Sequence, residues 1–232
     1  QTTIFALAHP KRPASIETFP QQVADLIGYL HGALQPDHPF SAIQAQPGPL
    51  PTSSPSVWLL GSSDYSANLA AFLGLPFAFA DFFGNTGKHG PAVADLYRRN
   101  FNPSSLCPEP LVNVTVQVVC APTEEDALFI ASSRNLNRAR RLLEAQTGSR
   151  LTGLVPPEEA SLIDLGDAGR SYTEQFTSGY IDGDPTQVSK ALFDVADRYE
   201  TEDVGIVTIA YRLEDRIRSY QLVAKELGLR YH

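Results

Sequence analysis

Four segments of the chain carry the apolar pattern of β-strands. Three are short runs of consecutive apolar residues, which is typical of strands buried on both faces. The remaining one alternates strictly between valine and polar residues, so its polar side faces either a barrel interior or water. These predicted strands are 57–60, 77–80, 112–120 (the alternating one) and 204–210.

Helical spacing of apolar residues fills most of the chain between these strands. Asp184 is a favourable N-cap, because Pro185 follows at the first helical position and Gln187 stands three residues after the cap. Gly74 and Pro76 mark a helix end before the second strand. Helices are predicted over 17–30, 67–73, 92–101, 123–147, 184–199 and 213–227, whereas 148–183 is mixed and contains the breakers Pro156-Pro157 and Gly166–Gly169.

The second half of the helix predicted over 123–147 is basic. An arginine-rich helix face can hold a phosphate, but a face solvated by water is the interpretation we favour. The arginines are Arg134, Arg138, Arg140 and Arg141.

Each predicted strand is followed by a helix, and this order predicts an α/β fold with parallel strands. Both an open α/β sheet and part of a (β/α)8 barrel have this order, and in such barrels the chemistry lies at the carboxyl ends of the strands. We interpret residues 1–232 as a single domain. Residues 35–55 are a long proline-rich loop, which we interpret as functional or mobile rather than as a linker, because the segment before it is too short to be a domain.

Composition narrows the classes of partner. The chain has 18 Lys and Arg against 26 Asp and Glu, a formal net charge of -8, which argues against nucleic acid or an anionic membrane as the main partner. No apolar run is long enough to span a bilayer. The two cysteines set no disulfide framework and the five histidines are dispersed, so we expect a reduced, cytoplasmic protein without a metal site.

The strongest local chemistry lies in the turn between the first predicted strand and its helix, Gly61–Ser66, which we call the serine turn. Gly61 lets the backbone approach a ligand closely, and the hydroxyls and the first helical amides suit a phosphate monoester. Plain helix capping by Ser62 or Ser63 is the alternative interpretation. The chain has neither a P-loop nor a Rossmann glycine motif, so a phosphate here would belong to a cofactor such as FMN in a barrel-type site.

The run Val57–Ala80, which includes the serine turn, resembles the bacterial luciferase-like flavin monooxygenases, and more narrowly their luciferase-family oxidoreductase group 1 branch. Other stretches resemble the same family in the same order along nearly the whole chain. They are Phe19–Ala24, Tyr97–Ser104, Leu154–Glu159 and Arg216–Leu222.

The resemblance implies a (β/α)8 TIM barrel, of which this chain supplies roughly strands 5–8 and their helices. It implies an FMN-dependent monooxygenase that uses reduced flavin and O2 on a small organic substrate. The family's phosphate contacts fall on Ser62, Ser63 and Ser66, with Gly61 and Tyr65 in the same turn. Its flavin and substrate pocket falls on Asp81, Phe82 and Phe83, where many relatives have a histidine-containing segment.

The chain also departs from the family, because the segments that form the family's first four strands are absent. The sequence begins at Gln1 and contains no Met, so we expect it to be the C-terminal part of a longer product or to pair with an N-terminal half-barrel chain, within a homo-oligomer. No catalytic residue is assigned. A non-catalytic flavin-binding or assembly protein of the same fold stays open as an alternative function, and the deazaflavin F420 as an alternative cofactor.

Overall fold

The computed structural model of the chain describes residues 6–9, 11, 15–43, 45–48, 53–84, 88–147 and 153–229, with only the backbone described at 140–143 and 145–147. Its strands are β1 (Leu59–Gly61), β2 (Phe77–Ala80), β3 (Val112–Cys120), β4 (Ile181–Gly183) and β5 (Asp203–Val207). Its main helices are α1 (Phe19–His31), α2 (Asp64–Leu73), α3 (Gly90–Asn100), α4 (Glu124–Thr147), α5 (Pro157–Ala160), α6 (Gly166–Thr177), α7 (Pro185–Tyr199) and α8 (Leu213–Glu226).

All the described strands pair in parallel, which confirms the predicted α/β class with a parallel sheet. β3 lies at the centre. It pairs with β2 from Val112 to Thr115, with β5 from Asn113 to Gln117, and with β4 from Val118 to Cys120. β1 pairs with β2.

Helices cover the two faces of the sheet unequally. Alternate residues of β3, such as Val114 and Val118, are buried together with apolar residues of α2, α3 and α7 in the main core. Val119 points to the opposite face and is buried with Ala127 and Ala131 of α4. α4 therefore packs across the other face of β3, near the carboxyl end of the strand.

Some predicted boundaries need correction. β4 was not predicted, and the last strand ends at Val207 rather than at residue 210. The glycines at 166–169 were interpreted as helix breakers, which is wrong, because Gly166–Thr177 is a helix whose buried residues are Gly169 and Thr173. Small residues there let the helix pack closely. Of the proline-rich loop 35–55, residues 44 and 49–52 lie outside the described residues, and its described part consists of turns and irregular backbone.

Within the described ranges, no helix combines the length and the apolar character needed to cross a bilayer.

Candidate functional site

The residues that follow the strands lie at one edge of the sheet, because the strands are parallel. Ser62 follows β1, Asp81 follows β2 and Ala121 follows β3. This carboxyl edge is where ligands bind in parallel α/β folds. The structure therefore places the serine turn and the predicted pocket residues Asp81–Phe83 after neighbouring strands.

The serine turn connects β1 directly to α2. Ser63 occupies the N-cap position with an extended backbone, but its side chain makes no capping hydrogen bond. A Cβ added at Gly61 would lie 2.1 Å from Ser66 Oγ and 2.3 Å from Ser66 Cβ, so Ser66 packs directly onto the glycine. The capping interpretation is thus not supported at Ser63, and its hydroxyl is left for another partner.

Two further features shape this turn. Tyr65 is about half exposed, at 51% of its full accessible area, so its ring does not close the turn off from solvent. His89, the N-cap residue of α3, places its ring Nε2 3.3 Å from the carbonyl oxygen of Ser62. His89 was not predicted as part of the site, because nothing in the sequence brings residues 62 and 89 together.

The predicted pocket residues have different environments. Asp81 is buried, and its carboxylate accepts a 2.9 Å hydrogen bond from the hydroxyl of Tyr199. Burial, reinforced by the Asp81 charge, raises the pKa of Tyr199 well above its ordinary value. Phe82 and Phe83 form an aromatic pair with ring centroids 4.6 Å apart, and Phe83 is half exposed. Asp81 therefore ties the segment after β2 to Tyr199 of α7 by a hydrogen bond. The two phenylalanines form an apolar surface at the carboxyl edge.

A cluster of charged and aromatic side chains lies beside the segment Asp81–Phe83. Arg134 is almost fully buried and binds Asp182 of β4 with two nitrogens, at 3.1 and 2.6 Å. Its guanidinium carbon lies 4.3 Å from the centroid of the Tyr180 ring, and that of Arg138 lies 5.7 Å from the same centroid. We call Arg134, Arg138, Tyr180 and Asp182 the arginine cluster. The favoured interpretation of a face solvated by water is wrong for Arg134, which is buried and pairs with a carboxylate of β4 that was not predicted.

Polar groups connect the arginine cluster to the segment Asp81–Phe83, which follows β2. Gln117 of β3 donates from Nε2 to the carbonyl oxygen of Phe82 at 2.9 Å, and Arg138 donates to the same oxygen at 3.4 Å. Gln117 was predicted to face either a barrel interior or water. It is buried, so its part of the polar side of β3 does not face water.

A cleft of about 250 Å³ opens past the end of β3. Arg212 on its rim also contacts Glu158 of α5 at 2.6 Å. The lining residues are Cys120, Ala121, Pro122, Asp126, Phe129, Ile130, Arg212, Asp215 and Arg218. Among side chains in the described ranges, no group of three or more potential metal ligands occurs.

Known proteins resemble this chain in sequence. The uncharacterized protein YwcH of Bacillus subtilis is 34% identical over 207 residues, covering 89% of this chain and 60% of YwcH. A luciferase-like monooxygenase of Escherichia coli is 29% identical over 223 residues, covering 96% of this chain and 62% of that protein. This chain thus spans about 60% of the length of these curated relatives. No protein-family model matches it.

Solved structures share the fold. The crystal structure of apo-MsnO8 superposes with a TM-score of 0.77 at 30% identity, covering 100% of this chain and 66% of that one. The oxygenating constituent of 3,6-diketocamphane monooxygenase from Pseudomonas putida, solved with FMN, has a TM-score of 0.59 at 13% identity, covering 97% of this chain and 67% of that one. The latter shows the fold alone.

The chain belongs to the luciferase-like flavin monooxygenase family. Its parallel α/β fold is of the TIM-barrel type seen in that family.

Proposed function

We propose that the protein is an FMN-dependent monooxygenase that uses reduced flavin and O2 to oxidise a small organic substrate. The observation that carries the proposal is the serine turn. It joins a strand end directly to a helix N-terminus, and the Ser63 hydroxyl makes no capping hydrogen bond. Because Gly61 has no side chain, the Ser66 side chain can pack against the strand end.

The serine turn fits a phosphate monoester in chemistry and position. The first turn of α2 offers backbone N–H groups that no helical carbonyl accepts, and the helix dipole favours a negative group there. Ser62, Ser63 and Ser66 would add hydroxyl donors, with Tyr65 beside them. In this assignment the carbonyl of Ser62, held by His89, fixes how the turn faces the ligand.

The other predicted residues would serve the ring and the substrate. Phe82 and Phe83 present apolar surface that can contact an isoalloxazine ring or wall off the pocket. Asp81 would act through position, because its carboxylate is buried against Tyr199 rather than aimed at a ligand. Bound reduced flavin supplies the reaction with O2, and the protein binds, orients and excludes water. We assign no catalytic acid or base.

We also propose that the barrel is completed by strands outside this sheet. Among the described residues, β1 pairs with β2 alone and β5 with β3 alone, and a barrel closes only when every strand has two neighbours. The missing strands would come from the same polypeptide or from a partner half-barrel chain. Homo-oligomer formation and a cytoplasmic location stay predictions.

Paired titrations with FMN and riboflavin test the phosphate assignment, because the two ligands differ only by the phosphate. We expect FMN to bind more tightly than riboflavin, and the double variant Ser62→Ala/Ser63→Ala to lose about tenfold or more in FMN affinity with little change for riboflavin. Ser161→Ala, at an exposed serine after α5, is the matched control. Equal losses for both ligands would refute the phosphate assignment.

Oxygen consumption with reduced FMN then separates enzyme from binding protein. Substrate-dependent consumption supports the monooxygenase. Tight FMN binding with no turnover across a substrate panel would favour the non-catalytic alternative. Tighter binding of F420 than of FMN would assign F420, not FMN, as the cofactor.

A further inference from the structure

The two arginines of the arginine cluster differ in how many of their N–H donors are used. Arg134 is 2% exposed and uses its nitrogens on Asp182 and on the Asn135 side chain. Arg138, one helical turn later, is partly exposed, donates to the Phe82 carbonyl at 3.4 Å and also interacts with the Tyr180 side chain. A guanidinium has five N–H donors, so most donors of Arg138 remain for another acceptor.

The local charge is positive in an acidic chain. Arg134 and Arg138 contribute +2 and Asp182 contributes -1, which leaves +1 in the arginine cluster against a net charge of -8 for the whole chain. The acidic member of the cluster, Asp182, is bound to Arg134. The charge that Arg138 adds is therefore not balanced within the cluster.

A buried polar atom near Arg138 also lacks a partner. Gln117 is 1% exposed and its Oε1 makes no hydrogen bond to the described residues. Such an atom costs on the order of 1–3 kcal/mol. Burial raises the pKa of Tyr180, while the charges of Arg138 and Arg134 and a hydrogen bond with Arg138 oppose the rise. A cluster that served packing alone would gain from an apolar residue at position 117, so this atom favours a site for a ligand.

We propose that Arg138 binds the carboxylate of an organic substrate. Its planar fork matches a carboxylate with two parallel hydrogen bonds. Arg138 contacts the backbone oxygen of Phe82, and the ring pair of Phe82 and Phe83 would supply an apolar surface for the rest of the molecule. Arg134 and Tyr180 are positioning residues, since the buried ion pair fixes the ring on which Arg138 lies. The inference rests on the proposed function, because it assigns the anion to that enzyme's substrate.

Binding calorimetry with matched ligand pairs tests this proposal. The probes are benzoate against benzamide and octanoate against octanamide, each pair alike in shape and different in charge. We expect at least one carboxylate to bind the wild-type protein about tenfold or more tightly than its amide. Arg138→Gln should abolish that preference, and Arg138→Lys should keep part of it. Arg170→Gln, at an exposed and paired arginine, is the control and should keep the whole preference.

Three results would overturn the proposal. They are no carboxylate preference in the wild-type protein, the same preference in Arg138→Gln, or a loss of FMN but not riboflavin affinity in Arg138→Gln. The last would assign Arg138 to the cofactor phosphate instead. Arg138→Met is a second variant in case the glutamine folds poorly. If FMN fails to bind while the preference still depends on Arg138, the proposed function fails and the carboxylate site stands.

Discussion

Replacing Gly61 with alanine tests whether the serine turn needs a bare backbone. The new Cβ would lie 2.3 Å from Ser66 Cβ, whereas carbon atoms in contact are about 3.5–4.0 Å apart. Rotating the Ser66 side chain moves Oγ but not Cβ, so the backbone of the turn must move by more than about 1 Å. Overpacking of this kind costs about 1–3 kcal/mol in the free energy of unfolding.

The displacement should also weaken phosphate binding. Losing one hydrogen bond to a charged group lowers affinity about tenfold or more, so Gly61→Ala should bind FMN more weakly while riboflavin affinity changes little. Urea unfolding followed by circular dichroism gives the stability, and quenching of flavin fluorescence gives the two affinities.

A second variant separates crowding from the lost hydroxyl. Gly61→Ala/Ser66→Gly removes the crowding atoms, so it should be no less stable than Ser66→Gly alone, yet FMN affinity should stay low because the hydroxyl is gone. If the free energy of unfolding of Gly61→Ala lies within about 0.5 kcal/mol of the wild-type value and FMN affinity is unchanged, the close packing of Gly61 on Ser66 does not shape the serine turn.

Three further predictions concern the scaffold around the site. Burial raises the pKa of Tyr97 from 10.0 to about 12, so the unfolded chain loses this proton first and Tyr97 should remove about 2 kcal/mol of stability between pH 10 and 12. Other tyrosines with a raised pKa also lower stability there, so Tyr97→Phe should lose about 2 kcal/mol less than the wild-type protein across that range. Gly74 and Gly228 have φ of 61° and 65°, but a Cβ at Gly74 would lie 2.5 Å from a backbone oxygen and one at Gly228 meets nothing within 4 Å. Gly74→Ala should thus cost about 1–3 kcal/mol more than Gly228→Ala in urea unfolding, and equal costs would contradict this. Arg134→Met should cost about 3–5 kcal/mol in the free energy of unfolding, because the largely buried Asp182 carboxylate, 11% exposed, loses its partner. Adding Asp182→Leu should restore most of that loss in the same measurement.

The main elements could be predicted because their signals are local. The alternation over 112–120 became β3 with the predicted bounds, and Asp184 forms a capping box with Gln187 at the start of α7. The serine turn was predicted from residue types adjacent in the chain, and the structure places it from the last residue of β1 to the first turn of α2, which begins at Asp64 rather than at residue 67. Its role in phosphate binding stays a prediction.

The arginine cluster could not be predicted, because its partners are distant in sequence. Arg134 and Asp182 are 48 residues apart, and the strand that carries Asp182 has three residues, too few for a periodic pattern. From sequence alone, arginines on a helix are predicted to face water unless the carboxylate that pairs with them is known. The same limit applies to His89 and Ser62, which are 27 residues apart.

The central position of β3 sets the order in which the sheet can assemble. Its pairing with β2 joins near parts of the chain, whereas its pairing with β5 joins residues such as Asn113 and Asp203, which are 90 positions apart. Loop closure over that distance is slow, so we expect the β5 contacts to form late in folding. Residues 113–115 of β3 have partner strands on both sides, so their amides should exchange with solvent deuterium only when the whole sheet opens.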